Sequence, residues 1–157
     1  MRDYNNIAEI GGGFGGAAFQ FFRTGHGVSL YDLPIMGVVQ GYFLSRLLGK
    51  SVSLYGESGS GDVRILPWFC FENDNSDVVF NRDSMAEFPK HSAISYLAQI
   101  KARGVPFLSI NQETQHESGQ VGVKQLRVSD LAQEVDLKRR SRSVYWIRRG
   151  YVEEFFI

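Results

Sequence analysis

Apolar positions along the chain alternate between short runs with strand spacing and longer stretches with helical spacing. That alternation predicts an α/β layer fold built on a mostly parallel sheet. Ile7-Ala8-Glu9-Ile10 reads as a first strand, the glycines after it as a turn, and Ala17 to Arg23 as the start of a helix that Gly25 or Gly27 ends. Residues 28–32 read as the second strand. Leu33-Pro34 then leads into a helix from about Ile35 to Leu48, with proline where a first helical turn tolerates it and Gly49 at the C-terminal cap. Residues 51–55 are expected to form the third strand, and the glycine and serine run 56–61 a surface loop. Residues 63–71 fit more than one element.

Farther along, residues 77–81 read as a fourth strand, Pro89 starts a helix that continues through Arg103, and residues 105–111 make a fifth strand beyond Gly104. The parallel series stops there. Residues 129–135 open like a capped helix; residues 143–147, a turn at Arg148-Arg149-Gly150, and residues 151–157 read as a terminal β-hairpin. The expected fold is therefore an α/β sheet that ends in an antiparallel hairpin.

Composition narrows the classes. A chain of 157 residues fits a single domain, residues 1–157, and its 17 basic and 17 acidic side chains cancel. That balance gives no reason to expect a nucleic-acid partner. Cys70 is the only cysteine; it cannot form an internal disulfide, and within Leu66-Pro67-Trp68-Phe69-Cys70-Phe71 it reads as a small buried hydrophobe. No apolar stretch approaches the roughly 20 residues that span a bilayer, and the polar start is not a secretory signal, so a cytoplasmic protein without a membrane span is expected.

In open α/β sheets ligands bind beyond the carboxyl ends of the strands, and here those ends are polar. The first strand carries Glu9 and the turn Gly11-Gly12-Gly13-Phe14-Gly15-Gly16; the second ends in Asp32, the fourth in Asn81-Arg82-Asp83, the fifth in Asn111-Gln112-Glu113. Gly11-x-Gly13-x-x-Gly16 also satisfies the dinucleotide fingerprint, with Asp32 about 20 residues on to hold a ribose, so an NAD-dependent oxidoreductase is one alternative. Glu9 discriminates. A carboxylate two residues before the first glycine would repel a bound pyrophosphate. S-adenosylmethionine carries an ammonium, a sulfonium and no phosphate, and it would gain a charge-assisted contact there. Asp32 would accept hydrogen bonds from both ribose hydroxyls.

The run Glu9-x-Gly11-x-Gly13-x-Gly15, the acidic end of the second strand and the terminal hairpin resemble the class I S-adenosylmethionine-dependent methyltransferases over nearly the whole chain. The resemblance implies a Rossmann-like sheet of seven strands in the order 3-2-1-4-5-7-6, the last-numbered strand antiparallel, flanked by helices. It also implies S-adenosylmethionine as cofactor, with Glu9, Gly11, Gly13, Gly15, Asp32 and Asn81 as cofactor-binding residues. Glu57, Trp68 and Asn75 are candidates for the adenine contact.

The segments Asp77 to Pro89, Phe107 to Glu113 and Trp146 to Glu154 are similar to a family of sugar O-methyltransferases from bacterial polysaccharide biosynthesis. This narrower resemblance implies a sugar or nucleotide-sugar acceptor. Members of the wider class carry residues before the first strand that cover the cofactor or bind the acceptor, and this chain is expected to lack that segment. A noncatalytic methyltransferase-like binding module, or a fragment, is the corresponding alternative.

Methyl transfer requires an acceptor oxygen aligned with the methyl group and a base for its proton. His116 and Asp83 rank first as that base, with Glu113 beside them and Glu87 and His91 behind. Asp83, Glu87 and Glu113 could together hold magnesium, but their spacing is no recognised metal motif, and a divalent metal is not favoured. The basic run Lys138-Arg139-Arg140-Ser141-Arg142, with Arg148 and Arg149 nearby, could bind the diphosphate of a nucleotide sugar or another anionic acceptor, although such runs most often serve as solvated surface.

Overall fold

Ile7, Ala8 and Ile10 are fully buried, as are Val28, Leu30 and Tyr31 to within a few per cent, so consecutive residues on both faces of the first two strands are covered. Two-sided burial is what a parallel sheet between helical layers demands. The computed structural model describes residues 4–58, 61–113 and 126–157. Its elements in chain order are β1 (Asn6–Ile10), α1 (Gly16–Arg23), β2 (Gly27–Asp32), α2 (Pro34–Leu48), β3 (Val52–Leu54), β4 (Val63–Pro67), β5 (Val78–Arg82), α3 (Lys90–Arg103), β6 (Phe107–Gln112), α4 (Val128–Glu134), β7 (Arg139–Val144) and β8 (Tyr151–Phe156). The strands form a mixed sheet in the order β3-β4-β2-β1-β5-β6-β8-β7.

The chain divides into two compact units, the first ending at Phe80 and the second beginning at Asn81. In the first unit β1 pairs with β2, β2 with β4, and β4 with β3, all in parallel. Ala18 of α1 and Leu44 of α2 are buried against Val28, Leu30, Val63 and Ile65, with Phe19, Phe21, Phe22 and Phe43 packed around them. Phe21 meets the ring of Phe80 edge to face, centroids 5.1 Å apart. Both crossover helices are thus anchored by their apolar faces. Gly25 and Gly49, each at positive φ, follow α1 and α2 as their stops.

Here the strand count differs from the expected seven. Residues 51–55 shrink to the three-residue edge strand β3, and the ambiguous run 63–71 resolves into β4 followed by a 3₁₀ turn, Trp68–Asn73. Counting β4 as the third strand restores the order 3-2-1-4-5-7-6, with β3 added outside it. The cause is local. A Cβ at Gly61 would lie 2.8 Å from the Ser51 carbonyl oxygen and the Ser53 nitrogen, so glycine lets the incoming chain pass directly against β3. The alternating burial of β4, with Arg64 exposed between buried Val63 and Ile65, marks it as a half-covered strand.

In the second unit β8 is antiparallel to β6 and to β7. The hairpin begins earlier than expected: β7 covers Arg139–Val144, whereas Trp146 and Ile147 lie beyond it, 87% and 64% exposed. All six β7 residues are exposed, as an edge strand permits, so no apolar pattern marks it. The basic run thus enters an exposed edge strand at Arg139. Glu154 on β8 is buried, and Arg139 and Arg142 pair with it at 2.7 and 3.2 Å. Those two arginines neutralise a carboxylate that would otherwise be costly to bury.

Candidate functional site

The first unit builds its site from the end of β1 through the glycine turn to α1. Gly11, Gly13 and Gly15 have φ of 68°, 56° and 94°, a region that side-chain-bearing residues enter at a cost. Each glycine answers a different demand. A Cβ on Gly12 would sit 2.6 Å from Leu30 Cδ2 and 3.2 Å from Glu9 Cδ, and one on Gly15 would sit 2.7 Å from Leu44 Cδ1. At Gly13 nothing lies within 4 Å of that position, so this face of the turn is open to an approaching group. Glu9 is buried to 3% exposure directly beneath Gly12.

Asp32 ends β2 and is half-buried. Its Oδ1 accepts the Leu33 N–H at 2.8 Å and its Oδ2 accepts from Gln40 Nε2 at 2.9 Å. Burial pushes the Asp32 carboxyl above the ordinary carboxylate range, opposed by hydrogen bonds from Leu33, the Gln40 amide, and the backbone of Gly13 and Gly12. Two carboxylates therefore flank the turn, and some of its N–H donors already face one of them. A pyrophosphate would meet negative charge here. A ligand with a cationic end and hydroxyl donors fits the same groups without repulsion.

Beyond the carboxyl ends of β2, β3 and β4 lies an apolar groove of about 390 Å³, lined by Leu33, Pro34, Val38, Tyr55, Ile65 and Phe69 among others. Of the three candidates for an adenine contact, Trp68 stands edge to face against Phe69, centroids 5.7 Å apart. Glu57 instead holds the β3 turn by accepting the Leu54 N–H, and Asn75 is exposed in the segment before β5.

In the second unit the strand ends carry a buried amide chain. Asn111 Nδ2 donates to Asn81 Oδ1 at 2.7 Å and to Ser109 Oγ at 2.9 Å, and Asn81 Nδ2 donates to Ser84 Oγ. Asp83 follows in a left-handed conformation, φ 58°. Its two carboxylate oxygens accept from Arg148 Nη1 and from the Tyr151 hydroxyl, while the Arg148 guanidinium lies 4.2 Å over the Tyr151 ring. Burial and the Asp83 carboxylate push the Tyr151 phenol up to about 12, so it remains a donor.

Glu113 pairs with Arg142 at 2.7 Å and approaches Arg127 at 3.9 Å. Glu87 and His91 are exposed, in the turn before α3 and in its first turn. His116 lies outside the described residues. Among the described residues no three His, Cys, Asp or Glu side chains gather as a metal site, and no helix is long and apolar enough to cross a membrane.

Residue-by-residue reading of strand ends misses two participants, Gln40 and Tyr151, and gives Arg148 a different part, as one of the cations near the basic run. Gln40 had a signal: it is the only polar side chain in the run Ile35 to Leu44 apart from the Tyr42 hydroxyl. The pairing of Arg148 and Tyr151 with Asp83 had none, because the turn of a hairpin does not disclose which strand end it will meet.

No family model and no curated protein matches the chain. Solved structures do. The mitomycin 7-O-methyltransferase MmcR is similar with a TM-score of 0.71 and 16% identity, covering 98% of this chain and 49% of its own. The O-methyltransferase NcsB1 from neocarzinostatin biosynthesis, solved with S-adenosyl-L-homocysteine, gives 0.67 and 15%, covering 99% and 50%. A structure described as a pericyclic reaction enzyme gives 0.63 and 19%, covering 96% and 42%. The chain has the fold of the class I S-adenosylmethionine-dependent methyltransferases, and it spans about half the length of the solved structures it matches.

Proposed function

We propose that this chain binds S-adenosylmethionine at the glycine turn of its first unit and serves the transfer of a methyl group to a sugar hydroxyl. The observation that carries the cofactor reading is the pair of carboxylates around an open turn: Glu9 beneath Gly12 and Asp32 beside Gly13. The solved structures of the same fold include proteins crystallised with S-adenosylmethionine or S-adenosylhomocysteine, which supports the same ligand.

Glu9 would neutralise the cofactor's ammonium end, Gly11, Gly13 and Gly15 would let the backbone approach it, and Asp32 would accept from the ribose hydroxyls. The adenine ring would lie in the apolar groove beside Leu33 and Phe69, with Trp68 at its margin. When bound, the cofactor supplies a methyl group activated by a sulfonium. The chain's own task is then to orient the acceptor and receive a proton.

For the acceptor side we propose the polar ends of β5 and β6, with Asn81 framing the turn that presents Asp83. Asp83 is engaged by Arg148 and Tyr151; it suits an acceptor-binding carboxylate that exchanges one of these donors for a substrate hydroxyl. Glu113 and His116 complete the proposed set, His116 as the base whose ordinary pKa lies nearest neutrality. A sugar or nucleotide-sugar acceptor rests on the resemblance of residues 77–89, 107–113 and 146–154.

Incubation with methyl-labelled S-adenosylmethionine and a panel of free and nucleotide-linked sugars tests this reading. Label is expected in a sugar fraction. Label in phenols or protein but in no sugar would overturn the acceptor class, and tight cofactor binding with no transfer to any acceptor would make the chain a noncatalytic binding module.

A further inference from the structure

Gln40 is wholly buried on α2, and both partners of its Nε2 amine are acceptors: the Gly13 carbonyl oxygen at 3.0 Å and Asp32 Oδ2 at 2.9 Å. That pairing fixes the side-chain orientation, because a flipped amide would set its oxygen against two other oxygens. The Gln40 Oε1 has no hydrogen-bond partner among the described residues, so the amide is held in place by what its amine binds. A buried acceptor left unmet is a cost to the fold. Leucine or methionine would fill the same apolar helix face without that cost.

We infer that Gln40 is a positioning residue of the candidate cofactor site: it locks the Asp32 carboxylate to the open face of the glycine turn, so that ribose-binding and backbone-binding groups are held as one rigid element. The Gly13 carbonyl and the Asp32 carboxylate offer each other no proton, so the Gln40 amine joins these two acceptors, beside the bonds that Asp32 draws from the Gly12 and Gly13 backbone. The amine of a single amide supplies both hydrogens. The same bond favours the ionised form of Asp32 against the burial that opposes it.

The inference rests on the proposed cofactor reading for its purpose, but not for its physical content, and two measurements keep these apart. In the ligand-free chain, the Asp32 carboxyl titration is followed by carbon-detected NMR in the native protein and in Gln40→Leu. Loss of one donor is expected to move it up. An unchanged titration in a folded variant would overturn the inference whatever the ligand.

S-adenosylhomocysteine is then titrated into native protein, Gln40→Leu, Asp32→Asn and the double variant. Gln40→Leu is expected to weaken binding about tenfold when Asp32 is present and less than about twofold when it is Asn, the signature of one residue acting through another. Equal losses in both backgrounds would show a merely structural glutamine. Gln40→Glu guards against a variant that does not fold. A proton shared with Asp32 should preserve binding at low pH and the second charge should abolish it at high pH, whereas a profile parallel to the native one would contradict the inference. Failure of the native chain to bind S-adenosylhomocysteine would refute the cofactor reading and leave the NMR result to decide the lock.

Discussion

Asp32→Ala is expected to weaken S-adenosylhomocysteine binding by roughly 100-fold, while the folded state survives. Asp32 is the carboxylate at the end of β2, and two charge-assisted hydrogen bonds from ribose hydroxyls, at about 1.5 kcal/mol each, the low end for bonds to a charged group, account for a loss of that size. The pH dependence has a definite sign. Both hydroxyls need an acceptor, so the ionised form binds. Because burial raises the Asp32 carboxyl above its ordinary range, affinity should begin to fall already above that range as pH is lowered, and Asp32→Asn should remove this acid limb. Calorimetric titration at several pH values reads both effects; an Asp32→Ala affinity within a few-fold of native would show that the β2 end is not the ribose site.

The second large effect falls on stability. Gly15→Ala places a side chain at φ 94°, costing about 1–2 kcal/mol. It also sets the new methyl 2.7 Å from Leu44 Cδ1 and 3.0 Å from Leu44 Cγ, in a core where overpacking costs about 1–3 kcal/mol. Leu44 is fully buried and cannot swing aside. A total near 3 kcal/mol should lower the melting temperature by roughly 6–12 °C.

Gly13→Ala is the contrast. Its φ of 56° lies in the left-handed well and its Cβ would enter open space, so about 1 kcal/mol of stability is expected to be lost. Ligand affinity, however, should drop, since the methyl occupies the face that the cofactor approaches. Thermal melts and S-adenosylhomocysteine titrations of the two variants should therefore rank them in opposite orders. Similar melting losses would contradict the packing described for Gly15.

The alternation of apolar runs was enough to place α1, α2, α3 and the buried strands β1, β2, β5 and β6 within a few residues, because burial on both sides makes most of their positions apolar, with Glu9, Ser29 and Ser109 among the buried exceptions. The edges were harder to read. β7 carries Arg139 to Val144 with every residue exposed and so needs no hydrophobic signature, whereas the three-residue edge strand β3 falls inside the strand read at 51–55. β4 was concealed by continuity, since its apolar residues run straight into Trp68, Phe69 and Phe71 of the following turn.

The candidate site divides in the same way. Glu9, the glycines and Asp32 are close in sequence to the turn they form, and their order alone suggested a ligand class. Asp83 was visible as a strand end, but its engagement by Arg148 and Tyr151 depends on a hairpin 65 and 68 residues away. Gln40 could be noticed as a polar residue in an apolar helix, yet its role required knowing that α2 brings it back to both Gly13 and Asp32. Chemistry carried by local sequence is legible; chemistry assembled by chain return is not.

The central claim is that two carboxylates around an open glycine turn select a cationic, hydroxyl-bearing cofactor over a dinucleotide. Parallel calorimetric titrations of the native chain with S-adenosylhomocysteine and with NADH test it most directly. One equivalent of S-adenosylhomocysteine should bind, with no measurable heat from NADH; saturable binding of NADH without S-adenosylhomocysteine would contradict the claim and move the protein to the oxidoreductases.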